Sequence, residues 1–237
     1  MSEPAKEYYK PSVTADVVAF NIHAAQFRDD GAFVNLILIK RDEKSKAFPG
    51  AWALPGGFIE EGEDCYQCAA REFKEETGAD AKFLTLSGIY SEPGRDPRGP
   101  VISVAFTAVL PSGDFAPLKL KAGDDAKAIG LFNLSKSSID REHDSLHVVM
   151  RCVENGAKIA YTANFGRGSV GAITTEIIYD KDSNAELAFD HAAIIARGIW
   201  QKSQIFANTA KCKSRVEHVT PNEEAQLKKE LTEHLQK

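Results

Sequence analysis

Apolar residues along the first half of the chain come in short runs, and each run implies an element. TADVVAFNI (14–22) and AFVNLILIKR (32–41) are β-branched and almost wholly apolar, with RDDG (28–31) as the turn between them. Runs of this kind predict two neighbouring strands. KAFPGAWALPGG (46–57) is punctuated by Pro and Gly around Trp52 and Leu54, which predicts a loop holding a short strand. KFLTLSGIY (82–90) and VISVAFTAVL (101–110) predict strands either side of the loop SEPGRDPRGP (91–100). AIGLFNL (128–134) predicts another strand. Between them EDCYQCAAREFKEETG reads as a helix closed at Gly78.

The second half changes style. SSIDREHDSLHVVMRCVENG (137–156) suggests a helix ending at Gly156. KIAYTANF (158–165) and GAITTEIIYD (171–180) suggest a hairpin around GRGSV. AELAFDHAAIIARGIWQKSQIF (185–206) places apolar residues such as Ile195 and Ile199 at helical spacing. TPNEEAQLKKELTEHLQK predicts a terminal helix, with Thr220 as N-cap, Pro221 at the first helical position and Glu223 completing a capping box. Strands with at least two long helices imply an α/β layered domain.

Composition narrows the classes. Of 237 residues, 43% are apolar and 27% charged, enough for a sizeable core. A net charge of -5 argues against a general nucleic-acid binder. Four cysteines in a chain this long make no secreted disulfide framework. MSEPAKEYYKPS has no apolar run, so no signal peptide is expected. No apolar stretch nears the ~20 residues of a membrane helix. The expectation is a cytoplasmic protein, with no membrane and no nucleic-acid partner.

GGFIEEGEDCYQCAAREFKEETGA (56–79) concentrates Glu60, Glu61, Glu63, Asp64, Glu72, Glu75 and Glu76 against only Arg71 and Lys74. Like charges close together on a helix repel. At ~100° per residue, with Glu72 at zero, Glu76 lies at about 40° and Glu75 at about 300°, an arc of roughly 100°. Phe73, Ala70 and Thr77 fall on a neighbouring arc that can pack on a sheet. Carboxylates so close call for a cation, and hard oxygen ligands select Mg²⁺, Mn²⁺ or Ca²⁺. Arg71 can reach both Glu75 and Glu63 and steady the cluster. The competing reading of REFKEE alone is an ordinary solvated acidic face. The glycines of PGGFIEEGE weigh against it, because backbone can approach a bound group there.

Gly57, five residues, Glu63, seven residues, then REFKEETGA match the Nudix box without a gap, with Phe73 and Ala79 in its two apolar positions. The chain therefore resembles the Nudix hydrolases. YYKPSVTADVVAF, WALPGGFIEEGE, PGRDPRGPVISVAF, AGDDA and LAFDHAAII resemble the ADP-ribose pyrophosphatase-like branch and its regulator relatives. The resemblance implies a Nudix fold, a mixed sheet sandwiched between helices. It implies hydrolysis of a nucleoside diphosphate derivative, ADP-ribose first, with Mg²⁺ or Mn²⁺ as cofactor. By the same carry-over Glu72, Glu75 and Glu76 are metal ligands, with the Gly57 carbonyl as a further one. Glu63 and Arg71 are structural, and Asp124 or Asp125 of KAGDDAKA is the candidate base against an ordinary polar turn. Arg95, Arg98 and Trp52 are the candidate substrate contacts. For the two arginines the alternative is a loop held by an internal Arg–Asp pair. His191 could touch substrate or cap a helix.

Residues 136–185 depart from the compact relatives as an insertion, a helix plus a hairpin, within a Nudix domain expected over 1–207. Residues 208–237 form a C-terminal extension. A homodimer is expected. Three motifs lead elsewhere. GRGSVG (166–171) fits a dinucleotide fingerprint, but the β-branched run after it predicts a strand where a helix is required. His143 and His147 have the spacing of a zinc pair but no third ligand. Cys65 and Cys68 form a CxxC without a second pair, which favours packing. Rival functions are a hydrolase of a dinucleotide or nucleotide sugar, and an ADP-ribose-sensing regulator. The regulator would need a winged helix from the 37 residues after Trp200, which offer one well-marked helix.

Overall fold

The computed structural model describes residues 8–22, 34–81, 83–111, 126–134, 137–167 and 173–202. The turn at 28–31, Asp124 and Asp125, the hairpin tip at 168–172 and the terminal helix expected from Thr220 lie outside them. Among the described residues, strands β1 (Ser12–Ile22), β2 (Val34–Arg41), β3 (Trp52–Ala53) and β4 (Gly56–Phe58) precede helix α1 (Cys65–Thr77). Strands β5 (Thr85–Tyr90), β6 (Val101–Pro111), β7 (Ala126–Asn133), β8 (Ser138–Asp140), β9 (Ser145–Cys152), β10 (Lys158–Arg167) and β11 (Ile173–Tyr179) follow, then helix α2 (His191–Gln201). All eleven strands form one sheet in the order β11-β10-β9-β7-β2-β1-β6-β5, with β3 on β2, β4 on β1 and β8 on β9. The β1–β6 pair is parallel and the other pairs are antiparallel.

Strand β1 shows why its sequence is a continuous apolar run. Ala15, Val17 and Ala19 face one side and pack with Cys68, Ala69 and Phe73 of α1. Val18 and Phe20 face the other and pack with Ile194, Ile195 and Ile199 of α2. A strand covered on both faces has no polar phase to show. The mixed sheet therefore lies between the two helices, as the resemblance implied. No helix among the described residues is long and apolar enough to cross a membrane.

Local signals set α1 firmly. Asp64 caps its start in a capping box with Gln67, and Gly78 closes it in the left-handed conformation (φ 72°) with its N–H on the Lys74 carbonyl. Its buried face is Cys68, Ala69, Phe73 and Thr77, so Ala69 takes the place expected of Ala70.

The helix expected over 137–156 is not there. The segment is β8, a turn, and β9. Leu146, Val148, Met150 and Cys152 alternate into the core, a period of two rather than 3.6. Asp140 accepts hydrogen bonds from the N–H groups of Glu142 and His143, which makes a tight turn where a helix would continue. His143 and His147 consequently do not share a helix face: His143 pairs with Asp140 and His147 with Asp180. The insertion is not a helix plus a hairpin but four strands that continue the main sheet.

The last helix starts later than its pattern suggested. Residues 186–188 are drawn to β3 instead: Trp52 N–H donates to the Glu186 carbonyl and Ala188 N–H to the Trp52 carbonyl. Phe189 then takes φ 51°, outside helical geometry, and α2 begins at His191.

Candidate active site

The glycines of the 54–57 loop are required by close approach. Gly56 has φ 155°, and a Cβ there would sit 2.3 Å from the Ala15 carbonyl oxygen. A Cβ on Gly57 would sit 2.3 Å from Glu72 Oε1. The loop thus lies directly against β1 and the acidic face of α1. Beside it opens a cleft of about 790 Å³. Asp16, Gly56, Gly57, Glu72 and Glu76 line it together with Arg41, Arg95, Arg98, Phe58 and Phe189.

The carboxylates differ sharply in surroundings. Glu76 points inward and accepts a hydrogen bond from Gly56 N–H at 2.9 Å. Burial pushes its carboxyl up to about 8, the Gly56 N–H opposes this, and the charges of Glu72 and Asp16 add to the rise. Burial also raises Glu72, against the pull of Arg71. Glu75 is not among the residues lining the cleft; its side chain is 59% exposed, with Arg71 3.3 Å away. Arg71 ties the motif together. It donates to Glu63 at 2.7 and 3.0 Å, to Glu72 at 2.8 Å and to the Phe58 carbonyl at 3.1 Å. The Arg71 hydrogen bonds hold the Glu63 carboxyl down at about 2. Glu63 and Arg71 are thus bonded to each other, and Arg71 to Glu72 and the Phe58 carbonyl as well.

The donor set is chemically suited to a hard divalent cation: the Glu72 and Glu76 carboxylates in the cleft, exposed Glu75 one turn of helix away, and the Gly57 carbonyl, which accepts a long contact from Cys68 Sγ at 3.6 Å. Among the described residues no three acidic, His or Cys side chains converge on a single point. Arg71 bridges Glu63, Glu72 and Glu75, while Glu76 has a separate donor in Gly56 N–H. Cys65 and Cys68 are free thiols, and burial pushes Cys68 up to about 12, so it is an inert packing residue.

Arg98 follows the alternative of a pair within its own loop, whereas Arg95 pairs outside the loop, at the start of α2. Arg95, whose side chain is 5% exposed, makes a two-pronged bond to Asp190 at 2.5 and 2.8 Å. Arg98 makes one to Asp96 at 2.7 and 3.0 Å. Burial opposes the charge of Asp96, but the Arg98 hydrogen bonds outweigh it and hold the carboxyl low. Trp52 does not line the cleft. It is buried in the core with its ring edge-on to Phe132 at 4.9 Å, because β3 directs it there. His191 neither caps α2 nor stands free: its Nδ1 accepts from Leu54 N–H at 2.9 Å and so pins the glycine loop to the start of the helix. That bond requires the neutral Nε2–H form, and burial lowers the pKa to match.

Asp16 was not anticipated. It is buried, lines the cleft, and accepts hydrogen bonds from the Ser103 and Thr14 hydroxyls. Its signal was present, since it is the one charged residue in SVTADVVAFNI. Phe58, Phe189 and Arg41 also join the cleft, and only the fold brings them together.

The comparisons agree with this geometry. An ADP-ribose pyrophosphatase of Methanocaldococcus jannaschii is 48% identical over 110 residues, 45% of this chain and 61% of that protein. The ADPR responsive transcriptional repressor NtrR of Acinetobacter baylyi is 30% identical over 106 residues, 44% of this chain and 39% of its own length. The matched region thus spans about three fifths or less of these relatives. The crystal structure of a MutT/nudix family protein from Enterococcus faecalis superposes with a TM-score of 0.60 at 29% identity, covering 85% of this chain and 66% of that one. The NUDIX domain family model matches residues 18–151, more than half of the sequence. With the box, the fold and the family match in agreement, the chain belongs to the NUDIX domain family.

Proposed function

We propose that the cleft hydrolyses the diphosphate of a nucleoside diphosphate derivative, ADP-ribose first, giving AMP and ribose 5-phosphate. The observation that carries this reading is the cleft itself. The box carboxylates Glu72 and Glu76 meet the Gly56–Gly57 backbone in a cleft that arginines and aromatic rings also line. The preference for ADP-ribose rests on likeness to the Methanocaldococcus jannaschii pyrophosphatase. Glu72, Glu75, Glu76 and the Gly57 carbonyl would hold Mg²⁺ or Mn²⁺, which when bound neutralises the diphosphate and acidifies a water.

The chain's own groups do the rest. Arg71 sets the orientation of Glu72 and Glu75. Gly56 N–H fixes the inner carboxylate oxygen of Glu76. His191 holds the loop that carries both glycines. The Arg95–Asp190 and Arg98–Asp96 pairs fix these lining side chains, so the substrate meets a preformed surface and loses less entropy on ordering. Asp124 and Asp125 are the candidate bases, each to be tested by replacement with Asn.

The test is a panel of ADP-ribose, dinucleotides, nucleotide sugars and nucleoside triphosphates with Mg²⁺ or Mn²⁺, products resolved by chromatography. AMP and ribose 5-phosphate formed fastest from ADP-ribose is the expected result. Triphosphates turning over fastest would overturn the substrate while sparing the family. Saturable ADP-ribose binding without turnover would favour the sensor reading, which likeness to the Acinetobacter baylyi repressor keeps in view.

A further inference from the structure

Phe58 is 42% exposed, and no other exposed large apolar residue among the described residues lines the cleft. Exposing apolar area to water forgoes about 25 cal/mol per Å². Its surroundings are built rather than incidental. The Arg98 guanidinium lies 5.0 Å from the Phe58 ring centre and 4.9 Å from that of Phe189. Buried Asp96 fixes that guanidinium through Nε and Nη2. The backbone of Phe58 is held too, by Arg71 Nη2 on its carbonyl, the same guanidinium group that orients Glu72. Phe189 keeps its place against Arg98 despite a left-handed backbone (φ 51°), conformational strain of the kind found where function demands it.

A fixed cation thus lies over the Phe58 ring, and the residue keeps exposed area in the cleft that Glu72 and Glu76 also line. A flat heterocycle gains from such a surface, since every nucleobase has a π-face and stacking tolerates its identity. We propose that Phe58 is the stacking platform for the nucleobase of the substrate and that Arg98 is its positioning residue, acting through the ring rather than on a phosphate. The proposal rests on the nucleotide reading of the cleft and deepens it: it separates the base contact from the reacting diphosphate.

The experiment compares ADP-ribose with the base-free diphosphate diester of two ribose 5-phosphates, in wild type, Phe58→Ala, Phe58→Leu and Phe58→Trp. Alanine should raise the KM for ADP-ribose about tenfold, in line with the ~1–3 kcal/mol of base stacking, with kcat within about twofold. Leu keeps the bulk without the π-face and should lose nearly as much, whereas Trp should restore the KM. The base-free substrate should be indifferent to all three. Arg98→Gln should raise the ADP-ribose KM in the same selective way. Independently of turnover, the fluorescence of Phe58→Trp should be quenched saturably by AMP and not by ribose 5-phosphate, relative to wild type. Equal losses on both substrates, no loss on either, or equal quenching by ribose 5-phosphate would overturn the proposal. A wild type that hydrolyses no member of the panel would overturn the proposed reaction, and the AMP titration would still decide the base site.

Discussion

Glu76 carries the largest conflict between burial and charge in the cleft. Its carboxyl is raised to about 8, against about 4.3 for an exposed glutamate. The folded chain therefore keeps a proton that the unfolded chain releases. That contribution to stability is whole below about pH 4.3 and is lost as pH rises through about 8. Glu76→Gln keeps a neutral acceptor for Gly56 N–H without the charge. Without added cation, chemical denaturation should find the variant level with wild type in acid and roughly a few kcal/mol more stable at pH 9. Its turnover should be lost. A variant less stable than wild type at pH 9 would remove burial as the source of the shift. His191 behaves in the opposite sense. Its folded pKa is lowered, so its contribution is whole above about 6.5, the ordinary histidine value, and falls as pH drops below that. Denaturation midpoints of wild type and His191→Asn between pH 5 and 8 should therefore diverge at high pH and close in acid. Arg95→Ala leaves Asp190 without its partner. Such a loss costs about 3–5 kcal/mol for a fully buried pair, and the part exposure of Asp190 places this one lower. Because Arg95 braces the wall, activity should fall alike on every substrate, checked on the same panel.

At the scale of elements, α1 is specified by short-range chemistry and can be tested there. Asp64→Ala removes both the N-cap acceptor and one half of the capping box. It should lower the unfolding free energy by about 0.5–2 kcal/mol, read by urea titration. An unchanged midpoint would mean the helix start is held by packing on β1 alone. Strand β9 makes the opposite point. Its segment contains enough charge and turn residues to imitate a helix, yet Leu146, Val148, Met150 and Cys152 enter the core at every second position, with Val149 buried on the other face. Period decided the outcome over composition, because only a strand puts all four in the core.

For the molecule as a whole, none of the described side chains of β8 to β11 lines the cleft, but these strands complete its support. Tyr161 of β10 is fully buried, and its hydroxyl donates to the Ala192 carbonyl of α2. Leu146, Met150 and Ile159 share the core on which α2 rests. Leu146→Ala should therefore cost about 2–5 kcal/mol in unfolding free energy while leaving the KM of the folded protein unchanged. A KM shift without loss of stability would make these strands part of the substrate site.

What the sequence determined by itself was local. Capping residues, Gly78, the spacing of Glu63, Arg71, Glu72 and Glu76, and the unbroken apolar phase of β1 are all written within a few residues of where they act. They were enough for the helix, the central strands and the family. The tertiary structure alone decided the rest. It placed Asp16 opposite Gly56 by strand register, turned Trp52 into the core, and closed Arg95 on Asp190 and His191 on Leu54 across long stretches of chain. It also set Phe58, Arg98 and Phe189 against one another. Contacts such as these depend on which elements meet, and pairing across a sheet has no signature in either partner's own sequence.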